Sequence, residues 1–326
     1  ILPLVYALIV MGIFAAGLSY VVGFADGLAF GLFAGFITWI LTYSGKEEKA
    51  RIVSLILVFV VVIFFWMAMH QNGLVLTLFA RDYTVKQVGP VTNLFFTLPS
   101  MLAVIGSIAG LVMFAMKRMK SSVKSAGALM FIVSLVAAWK FISKAELHNA
   151  IEPEVFQSFN PLFIVALTFP VIGLFAWMNR KGIEPSTPRK IGTGMIITAI
   201  GFVVVLIPSA GLPSPSSLAG SPLPDVMRVT PYWLMSSYLI LTVAELFLSP
   251  MGLSFVSKVA PSRFQGMLQA GWLLATATGN KLLFVGTKLW DSVDLWQMWI
   301  VFIGCCLLSA VFIFSIMKRL ENATRT

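Results

Sequence analysis

Two titratable side chains lie in the middle of long apolar segments, where they could take up and release a proton. Glu245 stands in the segment YLILTVAELFLSPMGLSFV, and His70 stands in IFFWMAMHQNGLVLTLF. A charged group is costly in an apolar environment and usually marks function, and its proton affinity changes with its neighbours. The placement predicts proton transfer. The alternatives are a structural Glu245 paired with a neighbouring helix and a neutral His70 bonded across helices.

Other side chains share helical faces with these two groups. Ser249 follows Glu245 by four residues and Trp66 precedes His70 by four, so each pair lies on one face of a helix. Gln71 comes directly after His70 in the run His-Gln-Asn-Gly. Such a polar run within an apolar helix predicts contact with a cavity or with another helix bundle.

Two further apolar segments carry polar residues at informative positions. Asn160 opens one of them, where an amide can cap a helix or contact a polar ligand, capping being the commoner role. Trp272, Thr276 and Asn280 recur every four residues in the other and form one stripe. Lys281 follows this stripe and can either extend toward the membrane surface or pair with an acid.

The residue types argue against the common kinds of catalytic and metal site. The sequence has no recognisable Ser-His-Asp arrangement, no His-Glu-x-x-His motif and no phosphate-binding glycine loop. Two histidines are too few for a multi-histidine zinc centre. The two cysteines, Cys305 and Cys306, are adjacent within an apolar run and fit neither a disulfide framework nor a metal site. We therefore expect no enzyme activity, no metal and no cofactor.

The elements that position these residues are membrane helices. Hydrophobic residues make up 59% of the 326 residues and charged residues 11%, against about 45–50% and about 25% in soluble proteins. A bilayer core of about 30 Å needs about 20 apolar residues per helix. Ten segments qualify: 2–23, 27–44, 52–79, 93–116, 123–143, 161–178, 191–208, 232–256, 265–288 and 295–317. The sequence predicts an all-α polytopic membrane protein with ten transmembrane helices in the lipid bilayer.

The basic residues concentrate in alternate loops. Most of the 23 Lys and Arg residues, which outnumber 13 acids, lie in five segments: 45–51, 117–124, 179–190, 257–263 and 317–326. The positive-inside rule predicts that these segments and both chain ends are cytoplasmic, so the net charge of +10 does not indicate nucleic-acid binding. The chain enters an apolar segment directly at Ile1, and we expect a cut or unobserved amino terminus rather than a signal peptide.

Small residues predict how the first two segments pack. Gly27, Gly31 and Gly35 recur every four residues in the second segment. This spacing predicts a packing seam within the first helical hairpin, because small residues let two membrane helices approach closely. The loop 209–231 is rich in Pro, Ser and Gly and predicts a flexible connection without chemistry.

Four runs resemble one protein family. They are FFWMAMHQNG (64–73), FQSFNPLFIV (156–165), ELFLSPMGLSFVSKVAPSRFQGM (245–267) and GWLLATATGN (271–280). In this order they resemble the carboxyl-terminal half of the proton-dependent oligopeptide transporters of the major facilitator superfamily. The resemblance covers roughly 52–80 and 156–317.

The resemblance implies a division of the chain. Residues 1–50 would be a linker hairpin, and 51–92 the first core helix of a carboxyl-terminal six-helix bundle. Residues 151–326 would supply the other five core helices. The span pair within 93–150 has no counterpart in the family and is expected to be an inserted peripheral hairpin. A first six-helix bundle precedes this half in the family, and we expect no transport without it.

The resemblance also implies functional residues. Six would bind substrate: Asn160, Glu245, Ser249, Trp272, Trp66 and Gln71. Glu245 would pair with a lysine of the other bundle and bind the amino end of a peptide, while Asn160 would contact the peptide backbone. Trp66 and Trp272 would form apolar walls.

His70 departs from the family pattern, because it stands where the family usually has the carboxylate proposed to be protonated. A protonated histidine is cationic, whereas a protonated carboxyl group is neutral. Protonation of His70 would therefore have the opposite effect on nearby ion pairs. We expect symport of di- and tripeptides across a bacterial inner membrane, with the proton as the coupling ion. Glu245 and His70 are the residues expected to carry the proton. The alternatives are a transporter of another small solute, such as an amino acid or a nitrate-like anion, and a non-transporting membrane receptor or scaffold.

Overall fold

A computed structural model describes residues 1–116, 120–218 and 221–325. Parts of three predicted regions lie outside the described residues: 117–119 of the basic loop 117–124, 219–220 of the loop 209–231, and 326 at the end of the tail.

The described residues form fifteen α-helices. In chain order they are α1 (Leu2–Val22), α2 (Phe24–Tyr43), α3 (Lys46–Met69), α4 (Val75–Tyr83), α5 (Pro90–Asn93), α6 (Leu98–Ala115), α7 (Ser121–Lys144), α8 (Phe159–Arg180), α9 (Thr187–Ser209), α10 (Pro215–Leu218), α11 (Pro231–Val259), α12 (Gln265–Lys281), α13 (Phe284–Ser292), α14 (Leu295–Ser315) and α15 (Met317–Arg325). Two short strands are β1 (Gln87–Val88) and β2 (Asn149–Ala150).

Nine helical segments within the described ranges are long and apolar enough to cross a membrane. They correspond to nine of the ten predicted spans and confirm an all-α, multi-pass membrane protein. The remaining predicted span, 265–288, is a helix interrupted at Leu282–Leu283, and its longer part, α12, has 17 residues. The count of ten is therefore approximate, because one predicted crossing is divided between α12 and α13.

The bundle is built around α3, whose side chains are buried on nearly all sides. It packs against α12 and α14, while α9 lies between α11 and α14. Aromatic rings fill the interface of α9 and α14: Phe202 stacks on Trp299 and on Phe302, with ring centroids 6.1 and 5.3 Å apart. The indole nitrogen of Trp299 donates to Ser209 Oγ at 2.8 Å, which satisfies its polar group within this apolar core.

Two helical hairpins accompany the bundle. The first hairpin (α1 and α2) packs along the predicted glycine seam: a Cβ added to Gly31 would lie 2.6 Å from the carbonyl oxygen of Met11. This close approach confirms the packing prediction for the first hairpin. In the second hairpin (α6 and α7), a Cβ on Gly110 would lie 2.5 Å from the backbone nitrogen of Phe131.

Several basic loops meet at one end of the helices, here called the basic end. Arg263 pairs with Glu48 at 3.1 Å and joins 257–263 to 45–51. Arg189 pairs with Glu321 at 2.8 Å and joins α9 to α15. Lys190, with a side chain only 4% exposed, pairs with Glu184 and lies 4.0 Å over the ring of Phe175.

The opposite end is held by short backbone pairings. Strands β1 and β2 are antiparallel, with Gln87 opposite Ala150 and Val88 opposite Asn149. This pairing brings together the two chain segments that flank the second hairpin.

Candidate functional site

The helix that carries His70 is interrupted at this residue. Helix α3 ends at Met69, a 3₁₀ turn covers His70–Gly73, and α4 begins at Val75. An interrupted membrane helix needs other partners for the freed backbone groups. The carbonyl oxygen of Asn72 accepts hydrogen bonds from the hydroxyl of Tyr238 at 2.5 Å and from that of Thr77 at 3.2 Å. These two hydroxyls stabilise the polar run His-Gln-Asn-Gly inside the bundle.

A second interruption, between α12 and α13, faces the first. Asn280 Oδ1 lies 2.5 Å from His70 Nδ1. The fully buried Gln71 donates from Nε2 to the carbonyl oxygen of Leu283 at 3.4 Å and to that of Met67 at 3.2 Å. The two helix breaks are therefore joined by side-chain hydrogen bonds.

Trp66 completes this cluster. Its ring centroid lies 4.6 Å from that of His70, with the planes tilted by 38°. Gly279 allows α12 to come this close, because a Cβ there would lie 2.5 Å from the carbonyl oxygen of Ile63 and 3.0 Å from Trp66 Cβ. We call Trp66, His70, Gln71 and Asn280 the histidine cluster.

A second cluster surrounds Glu245, which lies half-buried in the middle of the 29-residue helix α11. Asn160, at the start of α8, donates from Nδ2 to Glu245 Oε2 at 2.9 Å and to Thr242 Oγ1 at 3.2 Å. The structure thus brings together two residues predicted to contact substrate, 85 positions apart in the sequence. We call Asn160, Thr242 and Glu245 the glutamate cluster.

Helix α11 connects the two clusters. Tyr238 lies one turn before Thr242 and contacts the turn after His70 through its bond to Asn72. Ser249 lies half-buried one turn after Glu245, and Pro250 follows it within the same helix.

Trp272 lies apart from both clusters as a packing contact between helices. The side chain is 4% exposed, and its ring covers Gly252 of α11 so closely that a Cβ there would overlap it. The ring also meets Phe59 of α3 edge to face, with centroids 6.4 Å apart. Its predicted contact with substrate stays a prediction.

Several participants were not predicted from the sequence. Thr242 and Tyr238 precede Glu245 on α11, and their spacing of four residues was a usable signal. Lys281 was expected either to extend toward the membrane surface or to pair with an acid. It forms an ion pair with Asp26 of α2 at 3.0 Å. Among the residues that the structure describes, no three His, Cys, Asp or Glu side chains come together as metal ligands would.

The chain is similar to known transporters. A model of the POT family (PTR2) matches residues 133–299, just over half of the chain. The uncharacterized transporter YclF of Bacillus subtilis is 33% identical over 138 residues, 42% of this chain and 25% of that protein. The peptide transporter YePEPT of Yersinia enterocolitica is 28% identical over 237 residues, 72% of this chain and 33% of that protein.

Solved structures show the same fold. A peptide transporter POT in complex with sulfate superposes with a TM-score of 0.65 at 20% identity, covering 99% of this chain and 52% of that one. A POT family transporter in complex with a thioalcohol-conjugated peptide gives 0.64 at 17% identity, covering 97% and 52%. The chain thus spans a quarter to a third of these curated relatives and about half of the solved transporters. From the family match over residues 133–299, the chain belongs to the POT family.

Proposed function

We propose that this chain is the carboxyl-terminal part of a proton-coupled symporter of di- and tripeptides in a bacterial inner membrane. Relatives include a di-/tripeptide transporter of Lactococcus lactis, 33% identical over 132 residues, and dipeptide and tripeptide permease A of Proteus mirabilis, 32% identical over 136 residues. Because the chain spans only a quarter of each, transport requires the preceding six-helix bundle. In this proposal, the first hairpin links the two bundles and both ends of this chain are cytoplasmic.

The glutamate cluster carries this proposal. A half-buried carboxyl group in mid-membrane, held in position by the Asn160 amide at 2.9 Å, fits the amino terminus of a short peptide. The amide of Asn160 can in turn contact a peptide carbonyl. Recognition through backbone groups and charged ends fits peptides of many sequences. An ionised Glu245 would also repel an anion of the nitrate type, which argues against that alternative.

Proton coupling in this proposal uses Glu245 and His70. Both lie within helices of the bundle, and α11 connects their surroundings through Tyr238. Protonation neutralises the carboxylate but makes the imidazole cationic, so the two groups respond to a proton with opposite effects on nearby ion pairs. Loading of either site would shift the equilibrium between two arrangements of the bundles.

The test is uptake of labelled dialanine by the full-length protein in liposomes under an inward proton gradient. Uptake should stop when a protonophore collapses the gradient. Glu245→Gln should abolish gradient-driven uptake, whereas the matched variant Glu146→Gln, at an exposed position outside both clusters, should not. Unchanged uptake by Glu245→Gln would contradict the proposal.

Two further measurements separate the alternatives. Unlabelled dipeptides should compete with dialanine, while free amino acids and nitrate should not; the reverse result would indicate another small solute. Addition of dipeptide should also move protons across the liposome membrane. A folded protein that moves neither peptide nor protons would be a receptor or scaffold.

A further inference from the structure

We propose that Asn280 is a positioning residue that keeps the hydrogen of neutral His70 on Nδ1, so that Nε2 is the atom that takes up the coupling proton. This inference rests on the proposed role of His70. It assigns a function to a residue that lies 210 positions from His70 in the sequence and on a different helix.

The atoms of the contact determine the tautomer. The Oδ1 atom of Asn280 can only accept a hydrogen bond, and it lies 2.5 Å from His70 Nδ1. Nδ1 must therefore carry the hydrogen. In a neutral imidazole the other nitrogen, Nε2, then holds the lone pair and is the basic atom. The neutral amide of Asn280 accepts from both the neutral and the cationic ring, so the contact persists when the proton is bound.

Three contacts of neighbouring residues hold Asn280 in position: a close helix packing, a hydrogen bond and an ion pair. Gly279 brings α12 against the backbone of Ile63, six residues before the end of α3. Gln71 bonds to Leu283 on the far side of the helix break. Lys281 pairs with Asp26 of the first hairpin at 3.0 Å. Because these contacts flank Asn280 on both sides, its amide is held in a defined position toward the imidazole.

Several charged side chains on the surrounding elements have partners other than the His70 ring. Charged residues on the elements around the histidine cluster include Lys281 on α12, Asp26 on α2, Glu245 on α11, Arg81 and Asp82 on α4, Lys288 and Asp291 on α13, and Glu154 in the turn before α8. Lys281 pairs with Asp26, and Arg81 pairs with Asp82 at 2.8 Å. Glu245 is held by Asn160. Asn280 is therefore the direct polar partner of the His70 ring among the described residues, and Trp66 is its aromatic neighbour.

The first test is the pH profile of uptake by the full-length protein. Asn280→Asp places a carboxylate against the ring, so the pH of half-maximal uptake should rise by about one unit. Asn280→Leu removes the acceptor and should move that pH in the acid direction. The matched control is Thr276→Val, one turn earlier on the same helix, where the hydroxyl donates to the carbonyl oxygen of Trp272 at 3.1 Å. It should leave the profile unchanged.

The second test reads the tautomer directly by nitrogen NMR of the full-length protein labelled with ¹⁵N-histidine. The difference between wild type and His70→Gln identifies the His70 signals, and the exposed His148 serves as a reference within this chain. We expect the Nδ1–H tautomer in wild type and a shift toward Nε2–H in Asn280→Leu. An Nε2–H tautomer in wild type, or equal profiles of Asn280→Asp and Asn280→Leu, would overturn the inference.

The two proposals can fail separately. Gradient-driven uptake by His70→Gln equal to wild type would remove His70 from proton coupling and, with it, the basis of the inference. Loss of uptake in His70→Gln, together with Asn280 variants that shift neither profile nor tautomer, would overturn only the positioning role. If Asn280→Leu does not fold, Asn280→Asp, which is nearly the same size, still gives the expected alkaline shift or its absence.

Discussion

The two helical hairpins are alike inside and different in how they contact the bundle. In each, glycines let the paired helices approach to backbone contact, at Gly31 in the first hairpin and at Gly110 and Gly127 in the second. Both present large apolar side chains on their outer faces, as membrane helices do. The internal packing of the hairpins therefore does not distinguish them.

Their contacts with the bundle do distinguish them. The first hairpin has the ion pair of Asp26 with Lys281, the ring of Phe36 against Gly271, and a hydrogen bond from Arg263 to the carbonyl oxygen of Tyr43. The second hairpin contacts the rest of the chain mainly through the short helix α5 at its base. Small residues thus pack the two helices of each hairpin together, whereas charged and aromatic contacts attach the first hairpin to the bundle.

The largest expected effect comes from filling the glycine seams. Gly31→Leu and Gly110→Leu each force a side chain into opposing backbone atoms and should each destabilise the hairpin by about 3 kcal/mol. The readout is the thermal midpoint of the purified full-length protein together with uptake. Gly31→Leu should also lower uptake, because the first hairpin contacts α12, while Gly110→Leu should not.

The control for this pair is Gly12→Leu in the first hairpin, where an added Cβ meets no atom within 4 Å. It should keep the wild-type midpoint and uptake. Equal losses of uptake in Gly31→Leu and Gly110→Leu would contradict the claimed difference between the hairpins.

The ion pair of the buried Lys190 with the partly exposed Glu184 can be compared with the ion pair that holds the first hairpin. Hydrogen bonds from Lys190 and then Asn179 hold the pKa of Glu184 below its ordinary value of 4.5. A carboxylate with a lowered pKa stabilises the fold above its unfolded pKa, and this contribution is lost as the pH falls through the folded pKa. Stability should therefore decline from just above pH 4.5 downward.

Lys190→Met should destabilise the protein by about 2 kcal/mol at neutral pH, since it removes a charge-assisted hydrogen bond from a buried site. In this variant the thermal midpoint should also fall less than in wild type as the pH is lowered. Lys49→Met, at an exposed position on the same end and not among the causes of the lowered pKa of Glu184, is the matched control and should retain the decline. An unchanged acid decline in Lys190→Met would show that Glu184 does not depend on this lysine.

The contact between Asp26 and Lys281 should be weaker. Both side chains are partly exposed, 24% and 43%, so the pair should contribute about 0.5 kcal/mol in a double-mutant cycle of Asp26→Asn and Lys281→Met. Exchange of the charges, Asp26→Lys with Lys281→Asp, should restore most of the lost stability. A coupling energy of zero would leave the ring of Phe36 on Gly271 as the main contact of the first hairpin with α12.

Features that depend on the local spacing of residues along the chain could be predicted from the sequence. Apolar length located nine of the spans, and the repeat at Gly27, Gly31 and Gly35 located a packing seam. The interruption at Leu282–Leu283 was missed, because no proline marks it and the polar contact of Gln71 comes from another helix.

Contacts between residues far apart in the sequence could not be predicted from local spacing either. Asp26 and Lys281 lie near opposite ends of the chain, and His70 and Asn280 are separated by 210 positions. Sequence spacing indicates which residues share a helical face but not which helices are neighbours. Except for Thr242, the members of the two clusters were therefore recognisable from the sequence, whereas their pairing required the tertiary fold.

The smallest effect is expected from removing the second hairpin. Residues 102–139 can be replaced by a Gly-Ser-Gly linker, because the contact of Gly106 with Ser134 places Met101 and Lys140 at neighbouring levels of the paired helices. The cut keeps the buried Met101, the β1–β2 pairing and the ring of Phe96 on Phe156, 5.2 Å between centroids. The shortened full-length protein should fold and take up dialanine like wild type, with Gly31→Leu measured beside it. Loss of uptake with a retained thermal midpoint would place the second hairpin within the transport cycle, because the bundle itself would then be intact.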